Sequence, residues 1–250
     1  MKKGYFITGT DTGVGKTVVT AALATILRKQ GFKVGVMKPV ETGCQREHGR
    51  LLPQDALFLR TVAHCSAPLE LIAPYTFAEP LAPALAAERE GSKIEISTIH
   101  FCYERLQAEH DIVLVEGAGG WLVPLNEDLT MQDIAIELHL PVFIVARNVL
   151  GMINHTALTV ANARQSCTIL GVIINCTEPP DPLDIAVQTN EEALKRWVQA
   201  PFCCQFPCLP VISEESLLSL GELLLTDHLL EAMGISIPLD THTYQNGGNR

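Results

Sequence analysis

Gly9-Thr-Asp-Thr-Gly-Val-Gly-Lys-Thr17 carries the residue types that hold a nucleoside triphosphate, set between the strand-like Tyr5-Phe-Ile-Thr8 and a helical stretch. Glycines let successive backbone N–H groups converge on phosphate oxygens, and a helix beginning just behind them adds its partial positive charge. In such a loop Lys16 reaches the terminal phosphates and the Thr17 hydroxyl ligates magnesium. One spacing departs from the strict pattern: five residues separate Gly9 from Gly15-Lys16, and Thr10 stands where the first glycine of the strict form would be. Glu116 ends a second apolar run and is followed by Gly117-Ala-Gly-Gly120. A carboxylate there, opposite a phosphate loop, is placed to coordinate magnesium on ATP, and its glycines let backbone approach a ligand. Lys38 ends a third run and would stabilise negative charge developing between an acceptor and the γ-phosphate, although a strand-end lysine taken singly is usually a solvated charge. Asp55, in Pro53-Gln-Asp-Ala-Leu57, reads on its own as a first-turn helix carboxylate favoured by the dipole.

These residues need a scaffold that brings strand ends together. Five apolar runs rich in Val and Ile, at 4–8, 33–37, 111–115, 141–146 and 168–174, read as parallel strands covered on both faces. Helical stretches are expected at 17–29 (closed by Gly31), 53–64, 80–90, 94–110, 129–138 and 152–164. Alternating strands and helices imply right-handed crossovers and a doubly wound α/β sheet of the P-loop NTPase type. Ligands of such sheets bind beyond the carboxyl ends of the strands. There the chain places the phosphate loop, Lys38-Pro-Val-Glu-Thr-Gly43, Glu116-Gly-Ala-Gly-Gly120, Arg147-Asn148 and Asn175-Cys176. Beyond Asn175 the pattern weakens to a helix near 184–198, a short strand or loop near 202–210, and one last helix from 214 to 233. A single domain over 1–240 and a disordered tail at 241–250 complete the expectation, the tail having Gly-Gly and one Tyr as its only apolar residue.

Composition narrows the partners. A net charge of −10 argues against nucleic acid or an anionic membrane surface. No apolar run approaches the length of a bilayer span, and the N-terminus lacks the pattern of a signal peptide, so a cytoplasmic protein is expected. Eight cysteines, without a Cys-x-x-Cys pair, read as reduced thiols in mostly apolar surroundings. The Cys203-Cys204…Cys208 group matches no standard zinc spacing. Trp121, Tyr75 and Phe77 read as core or pocket wall.

At this point the chain resembles the dethiobiotin synthetases, which close the ureido ring of dethiobiotin in biotin synthesis. The resemblance rests on the phosphate loop, Lys38-Pro-Val with Thr42-Gly43, Asp55-Ala56-Leu57, Pro74-Tyr-Thr-Phe-Ala-Glu-Pro80, Val115-Glu-Gly-Ala-Gly-Gly-Trp121, Gly151-Met-Ile-Asn-His155 and Asn175 with Pro179-Pro180. It implies ATP as co-substrate, Mg2+, 7,8-diaminopelargonic acid and carbon dioxide as substrates, and a homodimer. By this resemblance Lys16, Lys38 and Thr12 are catalytic, Thr42, Gly151 and Asn154 bind substrate, and Thr17, Asp55 and Glu116 hold the metal. It likewise assigns the nucleotide to Gly13, Val14, Gly15, Lys16, Thr17, Val18, Asp55, Glu116, Gly117, Ala118, Gly119, Asn175, Cys176, Pro207, Cys208 and Leu209. Gly13 replaces a frequent Glu, and Thr42 a frequent Ser that keeps the hydroxyl. Residues 181–206 align with nothing in the family residue by residue. A P-loop switch or regulatory ATPase is the competing class; switch ATPases carry an extra lysine early in the loop, where this chain has Thr10.

Overall fold

The computed structural model describes residues 2–179, 181, 183–199, 203–224 and 226–235. Among the described residues ten strands form: β1 (Lys3–Gly9), β2 (Val34–Met37), β3 (Val40–Glu41), β4 (Gln45–Glu47), β5 (Arg50–Leu52), β6 (Tyr75–Thr76), β7 (Ile112–Gly120), β8 (Val142–Arg147), β9 (Ile169–Asn175) and β10 (Cys203–Phe206). Six of them make one sheet in the order β10-β9-β8-β1-β7-β2, with every pairing parallel. All five expected strands are present. The sixth, β10, resolves the strand-or-loop expectation near 202–210 and pairs Phe206 with Asn175 at the carboxyl end.

Ten α-helices among the described residues accompany the strands: α1 (Lys16–Lys29), α2 (Gln54–Val62), α3 (Leu69–Ile72), α4 (Pro83–Arg89), α5 (Ile96–Glu109), α6 (Met131–Glu137), α7 (Met152–Ala163), α8 (Ile185–Ala193), α9 (Glu214–Leu224) and α10 (Asp227–Ala232). The chain runs from β1 outward to β2, back to β7, then past β1 to β8, β9 and β10. Right-handed crossovers therefore put α1 on one face and α5, α6, α7 and α8 on the other. The contacts agree: α1 packs on α9 and α2, whereas α5 meets α6 and α7 meets α8.

Local chemistry explains the element ends. Gly31, at φ +87°, follows α1; its N–H donates to the Arg28 carbonyl and the Phe32 N–H to that of Leu27, closing the helix in a Schellman arrangement. The middles of the central strands are buried around Phe6, Ile7, Val113, Leu114, Phe143 and Ile144, as a sheet covered on both faces requires. Trp121 is buried, edge-on to Phe6 with centroids 6.2 Å apart, and its indole N–H donates to Asn162.

Three features differ from the sequence expectation. The helix expected over 214–233 is two, because Thr226 adopts extended backbone and its hydroxyl accepts from the Leu229 N–H as the cap of α10. The helix expected at 184–198 ends in a π-helical turn, Leu194–Val198. The β3–β6 and β4–β5 pairs are too short to leave a periodic signal. The tail at 241–250 lies outside the described residues.

Candidate functional site

The phosphate loop leaves β1 at the centre of the sheet, between β7 and β8, and enters α1 at Lys16. Gly15, the N-cap, sits at φ +92°, and a Cβ built on it would run into the Asn175 side-chain amide. Both the left-handed backbone and this close approach demand glycine. The Asn175 amide donates to the Val14 carbonyl at 3.0 Å, so the end of β9 braces the back of the loop. No acidic residue lies in the first turn of α1 and no side chain caps it, which leaves its N–H groups and dipole to an anion. Lys16 is buried, and its ammonium donates to the Asp11 carbonyl at 3.1 Å. Burial, and then the neighbouring Lys38 charge, lower its pKa to about 8.

A chain of polar groups connects α1, β7 and the end of β2 with α2. Thr17 Oγ1 donates to Glu116 Oε1 at 2.9 Å, and Lys38 Nζ lies 2.5 Å from the same oxygen and 2.9 Å from Asp55 Oδ2. Lys38 is almost fully buried and Glu116 completely so. Burial opposes the Lys38 charge, but Glu116 and Asp55 outweigh it and hold the ammonium above its ordinary pKa. Glu41 is also buried; its carboxylate accepts from the N–H groups of Asp55 at 2.9 Å and Ala56 at 3.0 Å. Burial raises the Glu41 pKa, and those two N–H groups oppose the rise.

Among the described residues Glu116 Oε2 is buried with no partner, while Oε1 meets the Thr17 hydroxyl and the Lys38 ammonium that also holds the Asp55 carboxylate. This donor set fits magnesium, a hard cation that takes one or two carboxylates and completes its shell with water and phosphate oxygens. Among the described residues no cluster of three or more His, Cys, Asp or Glu forms a metal centre by itself. The fit is thus to an ion arriving with a triphosphate.

Thr12, Gly13, Gly15, Lys16, Thr17, Lys38, Glu41, Thr42, Asp55, Glu116, Ala118 and Gly119 line one cleft of about 330 Å³. Eleven of these twelve were expected from the sequence; Glu41 was not. A cavity of about 380 Å³ beside α4 is larger, but its wall sets Glu88, Glu127 and Asp128 against a single Lys93, a net negative lining that disfavours a triphosphate. Val14 and Gly117 are buried behind the cleft, and Val18 is half-buried on α1. Cys176 is buried too, its sulfur accepting from Asn148 and Gln205 at 3.5 Å. Pro207, Cys208 and Leu209 follow β10 and flank the Asn175–Cys176 end of β9. Gly151 and Asn154 do not join the cleft: Gly151 is the left-handed N-cap of α7, and both are exposed at its first turn. Arg147, left without a role in the sequence reading, donates to the Gly13 carbonyl at 3.3 Å.

Known proteins match along almost the whole chain. A family model described as an AAA domain covers residues 3–216. The ATP-dependent dethiobiotin synthetase BioD of Thermodesulfovibrio yellowstonii is 42% identical over 241 residues, 93% of this chain and 99% of that protein. That of Bacillus subtilis subsp. natto is 37% identical over 240 residues, covering 93% and 100%. Among solved structures, the septum site-determining protein MinD of Pyrococcus horikoshii, complexed with Mg-ADP, shares the fold with a TM-score of 0.53, at 19% identity over 93% of each chain. On the sequence identity and its span, the chain belongs to the ATP-dependent dethiobiotin synthetase family.

Proposed function

We propose that this chain is an ATP-dependent dethiobiotin synthetase, a cyclo-ligase acting on 7,8-diaminopelargonic acid and carbon dioxide. The observation that carries the reading is one cleft holding the phosphate loop with Lys16, the Thr17–Glu116 hydrogen bond, and Lys38 between Glu116 and Asp55. One substrate amine takes up carbon dioxide as a carbamate and releases a proton. A carbamate oxygen then attacks the γ-phosphorus; the new O–P bond forms as the bond to ADP breaks, giving a carbamic-phosphoric anhydride. The second amine attacks the anhydride carbon, the C–O bond to phosphate breaks, and the cyclic urea closes with loss of phosphate and a proton.

Phosphoryl transfer of this kind asks a protein for position and neutralising charge. Lys16 and the loop amides of Gly13, Val14 and Gly15 neutralise the phosphates, with Val18 and Gly117-Ala118-Gly119 at their margins. Lys38, Thr12 and Thr42 surround the carbamate. Thr17, Asp55 and Glu116 hold Mg2+, which supplies further neutralisation of the phosphates when bound. Asn175, Cys176 and the 207–209 segment border the base, and Gly151 and Asn154 take the substrate carboxylate at a homodimer interface. The exposed Val149, Leu150 and Leu158 beside that helix start support an interface there. No helix of the described residues is long and apolar enough to cross a membrane; a cytoplasmic location and a single domain over 1–240 are part of the proposal. The test is ADP release with magnesium, ATP and bicarbonate, with and without the diamine. Diamine-dependent release matched by dethiobiotin in the products is expected. ATP binding without it would point to a switch or regulatory ATPase.

A further inference from the structure

Helix α2 starts at Pro53, which has no side-chain group to cap it. The N–H groups of its second and third residues, Asp55 and Ala56, are instead bound by the two oxygens of Glu41, at 2.9 and 3.0 Å, from a strand more than ten residues earlier in the chain. Glu41 is itself held. Its strand β3 pairs in parallel with β6, and its carbonyl accepts from the Phe77 N–H at 2.9 Å. The same short segment carries Lys38, whose N–H donates to the Ile72 carbonyl at 2.8 Å and whose ammonium grips the Asp55 side chain at 2.9 Å. Asp55 is therefore fixed twice by one segment, through its backbone by Glu41 and through its carboxylate by Lys38.

We infer that Glu41 is a positioning residue for the ring-closing reaction: by capping α2 from β3 it sets the Asp55 carboxylate against Lys38. The inference rests on the synthetase reading for its kinetic part only. Asp55 is 43% exposed on its side chain, so without the backbone clamp its pairing with Lys38 competes with water. Lys38 would then be oriented by Glu116 alone. Groups that orient a metal-ligating side chain typically contribute about 10- to 100-fold in metal affinity or activity, and Asp55 is proposed as such a ligand.

The test compares wild type with Glu41→Ala and Glu41→Gln, well below their melting temperatures. Hydrogen exchange by mass spectrometry on the ligand-free protein reads the 54–57 amides directly. Glu41→Ala is expected to speed that exchange and to lower kcat about tenfold or more, and because Asp55 is proposed to hold Mg2+ on ATP, the KM for Mg-ATP should rise with it. Glu41→Gln keeps one acceptor oxygen and should fall between. If exchange at 54–57 is unchanged, the capping role is wrong whatever the enzyme does. If exchange rises but kcat holds, Glu41 stabilises the helix and nothing more, and the inference fails. Should Glu41→Ala not fold, a wild-type kcat in Glu41→Gln overturns it equally. Absence of diamine-dependent turnover in the wild type would instead sink the synthetase reading and leave the exchange result standing.

Discussion

Replacing Lys38 by alanine removes the counter-charge of a carboxylate that has no exposed surface. The two ion pairs of Lys38 are unequal. Asp55 is 43% exposed, and its pair is worth no more than about 1 kcal/mol. Glu116 is fully buried 2.5 Å from the ammonium, and removing one member of such a pair typically costs about 3–5 kcal/mol, since the other charge remains unsolvated. The Glu116 term thus dominates. For a chain of this size about 2–4 °C of melting temperature accompanies each kcal/mol, so Lys38→Ala should melt about 6 to 20 °C lower in nucleotide-free buffer. Scanning calorimetry reads this without any ligand. The double variant Lys38→Ala/Glu116→Gln separates charge from packing: recovery of much of the loss indicates charge, further loss indicates a cavity. In the single variant Lys38→Ala turnover should fall more than ATP affinity, because the proposed target of Lys38 is the carbamate. A melting temperature within about 2 °C of wild type would refute the buried pair, and an intact turnover rate would remove Lys38 from the mechanism.

Lys16→Ala should weaken ATP binding and turnover together, measured by titration calorimetry and ADP release; unchanged values would refute its role. Because the Lys16 pKa is lowered to about 8, its ammonium loses its proton above that pH, and ATP affinity should fall about tenfold per unit there. A flat affinity from pH 7 to about 9.5 would contradict this. For ligand-free stability the sign is opposite: the unfolded chain binds more protons between about 8 and 10.5, so the Lys16 penalty is full below pH 8 and vanishes as pH rises through that window. Gly15→Ala forces a side chain into left-handed backbone and onto Asn175, and should abolish detectable ATP binding; near-normal affinity would show that the loop can re-form. Thr226→Ala removes the cap of α10 and should cost about 1 kcal/mol in a denaturant titration. No change in midpoint would mean that α10 is held by packing alone.

Much of this protein is written locally. Apolar runs mark the five strands, Gly31 closes α1, and the glycines of the phosphate loop predict its backbone, because each depends on neighbours a few residues away. Lys38 and Glu116 could be placed at one edge since strands of a parallel sheet all end on the same side. Asp55 and Glu41 were beyond that reach. Asp55 read alone is a helix-start carboxylate, and it is one, but its partner Lys38 lies on another element and its backbone is capped by Glu41 from β3. Glu41, inside Lys38-Pro-Val-Glu-Thr-Gly43, offered only one signal, a cap-less Pro53 at a predicted helix start. The sixth strand, the break at Thr226 and the separation of Gly151 and Asn154 from the cleft were likewise settled by tertiary structure. Short-range periodicity records which face of an element is buried; which polar group meets which across fourteen or a hundred residues depends on how the layers stack, and that follows from packing the whole core at once.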